Sequence, residues 1–261
     1  MPFIDRPGAT IFYETWGDGD GHWVTLINGH TRTTSDFRML ARHLAGRGFR
    51  VLSCDNRGSG QSEVSRDFQL PEMVDDIIAV WDAEGIQKSH VLGISMGGMI
   101  AQWLSSHFPA RVGRLVLVST CPNRDFINDH GSYEWSGHQD AVQAKLARYF
   151  SSRFLAANQP LVNAMAKQMA QAAASGGPFL MNAGRQMKAM QGFDATSHLG
   201  QITAPTLIIH GAEDAIVPVS AGRILANGIY GAKLKEVPAA GHLLIAEIPS
   251  QLYELVSGHL V

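Results

Sequence analysis

The chain has 261 residues, a formal net charge of −2 and an ordinary apolar share, enough to bury the core of one α/β domain with an inserted segment. A balance so close to neutral argues against a nucleic-acid interface or an anionic membrane surface as partner. No stretch approaches the apolar length of a membrane span, and Met1-Pro2-Phe3-Ile4-Asp5-Arg6 lacks the basic start and apolar run of a signal peptide, so the expected compartment is the cytoplasm. Cys54 and Cys121 both end apolar runs, and free buried thiols fit a reducing compartment.

In chain order, residues 10–16 alternate apolar and polar, and residues 23–27 form a second apolar run. Gly17-Asp18-Gly19-Asp20-Gly21 between them predicts a turn joining an antiparallel pair. Its acidic residues lack the spacing and closing glutamate of a calcium loop. A polar loop, Asn28-Gly29-His30-Thr31-Arg32-Thr33-Thr34, precedes a helix expected from Asp36 as N-cap to Gly48. Residues 49–54 read as a buried strand. The loop after it, Asp55-Asn56-Arg57-Gly58-Ser59-Gly60-Gln61-Ser62, lacks the third glycine of a dinucleotide fingerprint and reads as structural.

Pro71 opens a helix whose buried face is Met73, Ile77, Ile78 and Trp81. Val91-Leu92 leads into Gly93-Ile94-Ser95-Met96-Gly97-Gly98, and Met99, Ile100, Trp103 and Leu104 then follow at helical spacing. The strand at residues 114–119 carries Leu115-Val116-Leu117-Val118 without polar alternation. Such runs between helices predict a parallel sheet covered on both faces. From Pro122 to Leu199 the strand pattern stops. Helices are expected at residues 141–155, 160–174 and 178–190, carrying Met165, Met169, Met181, Met187 and Met190. This divides the chain into a core of residues 1–121 and 200–261 and a helical cap of residues 122–199. Strands return at residues 205–210 and 234–237, with helices at 219–227 and 249–259.

Gly93-x-Ser95-x-Gly97 on a strand–turn–helix is the spacing of a strained elbow that lifts a serine hydroxyl to the head of a helix. There the helix dipole and backbone N–H groups can stabilise a developing oxyanion. A serine hydroxyl needs a base, and the base needs an acid to orient it. Eleven histidines are available, so position decides. His242, after the last strand, and Asp214, after the preceding strand, lie in loops that open at the same sheet edge as Ser95. His210 belongs to its strand and reads as a packed core histidine; Glu213, beside Asp214, is the rival acid but should point elsewhere.

Four motifs together resemble the α/β-hydrolase family. They are Gly93-Ile94-Ser95-Met96-Gly97-Gly98, Asp55-x-Arg57-Gly58-x-Gly60-x-Ser62, His210-Gly211-x-x-Asp214-x-x-Val217-Pro218 and Gly241-His242-x4-Glu247-x-Pro249. The resemblance implies an α/β fold: a mainly parallel eight-stranded sheet with helices on both faces and an all-helical cap inserted after the sixth strand. It also implies Ser95 as nucleophile, His242 as general base then acid, and Asp214 as orienting acid. The oxyanion hole would be the backbone N–H groups of Met96 and His30. Asn28-Gly29-His30 departs at its first residue from the His-Gly-x usual at that loop, leaving the His30 side chain either in the pocket or capping the loop.

The resemblance points to small bacterial esterases and to 3-oxoadipate enol-lactonase, and implies an acyl-enzyme hydrolase of small, largely apolar esters or lactones. Its reactants are substrate and water, with no metal, no cofactor, no nucleic acid and no membrane; self-association is left open. The same motifs occur in carbon–carbon bond hydrolases, in cofactor-free haloperoxidases and in hydrolase-fold receptors that bind small molecules.

Overall fold

The computed structural model describes residues 2–128, 139–174 and 178–261. Among the described residues nine strands form one sheet: β1 (Phe3–Arg6), β2 (Ala9–Trp16), β3 (Trp23–Ile27), β4 (Arg50–Cys54), β5 (Glu63–Val64), β6 (Ser89–Ile94), β7 (Val112–Val118), β8 (Thr206–Gly211) and β9 (Lys233–Val237). Their order is β1-β2-β4-β3-β6-β7-β8-β9, with the two-residue β5 pairing β2 beside this path. Apart from β5, this is the expected sheet of eight. From β4 to β9 every neighbouring pair is parallel, whereas β2 is antiparallel to both β1 and β4.

Helices cover both faces. They are α1 (Arg38–Ala45), α2 (Leu70–Ala83), α3 (Met96–His107), α4 (Gln139–Ala147), α5 (Ser152–Ala157), α6 (Gln159–Ala174), α7 (Pro178–Met190), α8 (Val219–Gly228), α9 (Leu244–Glu247) and α10 (Pro249–Leu260). The strand pleat sorts the apolar runs between two layers. Leu92, Ile94, Val116 and Val118 pack with Leu40 and Leu44 of α1 and Leu252 and Val256 of α10. Val91, Leu115 and Leu117 face the opposite layer, with Trp81 of α2, Ile100 and Leu104 of α3, and Leu225 of α8. Runs apolar at every position therefore have a partner layer on either side, as the absence of alternation implied.

Three local expectations are corrected. β2 and β3 do not form a hairpin: β4 lies between them, antiparallel to β2 and parallel to β3. Asp36 is not an N-cap. It sits inside a short 3-10 helix, Thr34–Phe37, and holds Arg32 through two hydrogen bonds of 2.6 Å. The helix expected over residues 141–155 breaks between α4 and α5, where the Ser151 hydroxyl accepts from the Phe154 amide at 3.2 Å and starts a new helix. α2 begins as expected, with Pro71 in its first turn and a capping box between Gln69 and Glu72.

Between β7 and β8 lie α4 to α7. Val142, Leu146, Phe150, Val162, Ala166 and Ala170 give this stretch an apolar cluster of its own.

Candidate active site

Ser95 links the end of β6 to the first residue of α3 with φ 54° and ψ −119°, a region that non-glycine residues rarely occupy. Holding it costs about 1–3 kcal/mol, so the surroundings must over-determine it. They do. Its N–H donates to Val118 O at 2.9 Å, and its carbonyl accepts from Gly98 N at 2.8 Å and from Thr120 Oγ1 at 2.7 Å. The glycines follow from close packing rather than from turn conformation. A Cβ on Gly93 would overlap the Gly97 carbonyl, one on Gly97 the Ile27 carbonyl, and one on Gly98 would lie 2.5 Å from Thr120 Cβ. Only bare backbone lets β3, β6 and α3 meet this closely. As first residue of α3, Met96 has an N–H with no carbonyl one turn back to bond.

The loops after β8 and β9 bring Asp214 and His242 together, with His242 Nδ1 2.7 Å from Asp214 Oδ2. The other carboxylate oxygen accepts from the amides of Ile216 at 2.9 Å and Val217 at 2.8 Å, which fixes the carboxylate plane. Burial opposes the charge on Asp214, but the imidazoles of His242 and His210 outweigh it and hold the carboxyl below the usual range. An ionised carboxylate only accepts hydrogen bonds, so in the neutral imidazole Nδ1 carries the proton and Nε2 is the basic nitrogen. His210 is buried in β8, as expected. Its Nε2 also lies 3.4 Å from Asp214 Oδ2 while bonding Val217 O at 2.9 Å. Glu213 points elsewhere, accepting from Ser152 N at 3.1 Å and Ser152 Oγ at 3.0 Å.

Ser95 and His242 line one cavity of about 220 Å³, together with Gly29 and His30. Among the described residues no hydrogen bond joins Ser95 Oγ to the His242 ring. Such contacts are often long before substrate arrives and shorten in the complex. The remaining walls are mainly apolar: Ile94, Ile127, Leu146, Met165, Met169, Met190, Ile216, Val217 and Leu243. Of the five methionines expected in the inserted helices, Met165, Met169 and Met190 reach the cavity, while Met187 is buried in the core and Met181 is exposed.

The loop after β3 passes directly beside Ser95, and a Cβ on Gly29 would stand 3.4 Å from Ser95 Cβ. Asn28 shapes this loop. Its Oδ1 accepts from Gly29 N at 2.9 Å, its Nδ2 donates to Thr33 O at 2.6 Å, and its carbonyl accepts from Asn56 Nδ2 at 2.8 Å. The His30 ring lines the cavity and its Nε2 lies 2.9 Å from Ala183 O on α7, a partner that loop capping did not anticipate.

Sequence reasoning missed how the inserted stretch grips the loop carrying His242. Tyr149 O accepts from His242 N at 2.9 Å and from Leu243 N at 3.1 Å. Glu247 accepts from Gly241 N at 2.9 Å, Ser151 N at 3.1 Å and Ser151 Oγ at 2.5 Å. The Glu247 motif was visible in the sequence; its partner Ser151, 96 positions away, was not.

The family model for the alpha/beta hydrolase fold matches residues 23–249. The chain belongs to the α/β-hydrolase family. The hydrolase is 31% identical to 3-oxoadipate enol-lactonase 1 of Acinetobacter baylyi over 214 residues, 80% of this chain and 78% of that protein. It is 30% identical over 240 residues to a protein of Variovorax paradoxus named "Putative carbamate hydrolase RutD", covering 89% of each. The enol-lactonase of Burkholderia xenovorans LB400 has a solved structure that superimposes with a TM-score of 0.84 at 25% identity, over 99% of both chains. These relatives are hydrolases, and this chain is an enzyme of the same fold. No helix among the described residues is long and apolar enough to cross a membrane.

Proposed function

We propose that this hydrolase cleaves a carboxylic ester or lactone of a small, largely apolar substrate through an acyl-enzyme on Ser95. The observation that carries the reading is the strained Ser95 elbow opening onto the same cavity as a His242 ring held 2.7 Å from a buried, ionised Asp214. Ser95 Oγ attacks the carbonyl as His242 Nε2 takes its proton, and Asp214 balances the imidazolium that forms. The backbone N–H groups of Met96 and His30 receive the oxyanion, Met96 from the head of α3 and His30 from the loop beside Ser95. His242 then gives its proton to the leaving alcohol, and water repeats the sequence on the acyl-enzyme.

Residues 122–199 act in this reading as a lid on the core of residues 1–121 and 200–261. Leu146, Tyr149, Met165, Met169 and Met190 supply its inner wall. A cavity of about 220 Å³ lies below the roughly 300–1,000 Å³ common for ligand sites, which favours a small acyl or lactone ring. The names of the enol-lactonase relatives support the lactone arm.

The test is labelling by a fluorophosphonate, followed by p-nitrophenyl esters of increasing acyl length, lactones and aryl carbamates, with Ser95→Ala as control. Stoichiometric labelling with ester or lactone turnover that Ser95→Ala lowers by several orders of magnitude is expected. A Ser95→Ala enzyme with near-normal turnover refutes the mechanism. Labelling with carbamate turnover alone changes the substrate class, and labelling without any turnover favours the carbon–carbon hydrolase or receptor reading.

A further inference from the structure

The inserted helix α7 carries one polar residue on its buried face, Gln186, among Ala183, Met187 and Met190. Its side chain is wholly buried and all of its hydrogen-bonding partners lie outside its own helix. Oε1 accepts from the Thr31 N–H at 2.8 Å, while Nε2 donates to Arg57 O and to Ser59 Oγ, each at 2.8 Å. The clasp therefore joins α7 to two loops at once, the one after β3 and the one after β4.

Its position matters more than its energy. Thr31 follows His30 directly and has φ 62°, so the peptide after His30 sits in a conformation that must be held in place. One turn earlier on α7, the Ala183 carbonyl meets His30 Nε2 at 2.9 Å. His30 is thus fixed on both sides, by its own ring and by the next amide. The far end of the clasp is rigid, because Arg57 is locked on the buried Asp76 by bonds of 2.5 and 2.8 Å. Removing Gln186 leaves the Thr31 N–H without its buried acceptor and releases the loop.

We propose that Gln186 is a positioning residue that holds the His30 backbone N–H at the oxyanion site. This inference rests on the acyl-enzyme reading of Ser95. Gln186 touches no reacting atom and acts through the loop. An ångström of drift in an oxyanion donor weakens transition-state binding while leaving substrate affinity nearly intact.

The experiment compares Gln186→Met, similar in size but without hydrogen bonds, with Gln186→Glu, whose wholly buried carboxyl is held neutral and so keeps a carbonyl acceptor for the Thr31 N–H and one O–H donor for Arg57 O. On an ester substrate, Gln186→Met should lower kcat by about 10- to 100-fold with KM within about two-fold. Affinity for phenylboronic acid, whose adduct on Ser95 places an oxygen in the oxyanion site, should fall by a similar factor. Gln186→Glu should recover kcat to within about three-fold of the parent. Thermal melts establish that each variant is folded. A folded Gln186→Met with unchanged kcat and boronate affinity overturns the proposal, as does a Gln186→Glu enzyme no better than Gln186→Met. If Gln186→Met does not fold, Gln186→Glu decides: retained kcat supports the clasp, and a folded enzyme that has lost kcat refutes it. Absence of fluorophosphonate labelling in the parent enzyme refutes the Ser95 reading itself, whereas intact labelling and turnover in folded Gln186→Met refutes the clasp alone.

Discussion

Asp214→Asn isolates the acid of the proposed triad with little change of shape. An asparagine can keep its Oδ1 on the amides of Ile216 and Val217, now 2.9 and 2.8 Å away. The other branch becomes an NH2 facing His242 Nδ1, where a carboxylate oxygen stands at 2.7 Å. Two N–H groups cannot share that contact, so the ring must turn its lone pair to Nδ1 and carry its proton on Nε2. That tautomer cannot take the proton of Ser95. The corresponding change in serine proteases costs about 10⁴ in kcat, equivalent to about 5 kcal/mol of transition-state stabilisation. Stability should move far less. The lost charge-assisted bond is offset by no longer burying a carboxylate, so a net change under about 2 kcal/mol is expected. The assay is kcat on a p-nitrophenyl ester from pH 6 to pH 10, with a thermal melt on the same samples. A folded Asp214→Asn enzyme within ten-fold of the parent refutes the role given to Asp214. Glu213→Gln is the matched control and should stay within about three-fold, because Glu213 is engaged with Ser152.

Three further outcomes follow from packing and burial. Gly97→Ala drives a Cβ into the Ile27 carbonyl and to 2.7 Å from Asn28 O, so it should cost about 1–3 kcal/mol in a thermal melt and slow fluorophosphonate labelling; an unchanged melt and labelling rate would contradict the close-packing account. Burial pushes the Cys121 thiol up to about 12 and Cys54 higher still, so a disulfide reagent at pH 8 should find no reactive thiol until denaturant is added; rapid native reaction at either would show the site to be open. Burial, then repulsion from His22, Arg114, His259 and Lys88, lowers His90 from 6.5 to about 4. The folded state then binds fewer protons than the unfolded, so this contribution is complete above about pH 6.5 and lost as pH falls toward 4. It amounts to at most about 2 kcal/mol once partial exposure is discounted, and His90→Gln should flatten that part of a pH–stability curve; an unchanged slope counts against it.

What could be read locally was legible because local sterics decide it. Gly93 is required by its contact with the Gly97 carbonyl inside one strand–turn–helix. Although Gly97 and Gly98 are required by Ile27 and Thr120 far along the chain, all three stand close enough around Ser95 for the motif to reveal the elbow. The unbroken apolar runs at Val91-Leu92 and Leu115-Val118 could be satisfied only by a sheet covered on both faces. The loops holding Asp214 and His242 followed from the rule that parallel strands deliver their following loops to one edge.

Pairing and reach were different. Nothing in residues 10–27 says that β4 will come between β2 and β3, because strand adjacency is set by contacts far along the chain. Asp36 had the sequence context of a helix cap, but the nearby guanidinium of Arg32 claimed it. The His30 ring finds Ala183 across 153 positions, and Gln186 finds Thr31 across 155. One faint signal of the second was available: a glutamine on the apolar stripe of Ala183, Met187 and Met190 must have a buried partner somewhere. The sequence by itself determined the kind of fold, the elbow and the candidates for its partners, since each depends on short-range sterics or on strand order. Which side chains close the cavity, and which inserted residues grip the loops beside Ser95, only the tertiary structure decided. A buried hydrogen bond constrains both its ends in space but leaves no fixed spacing in the chain.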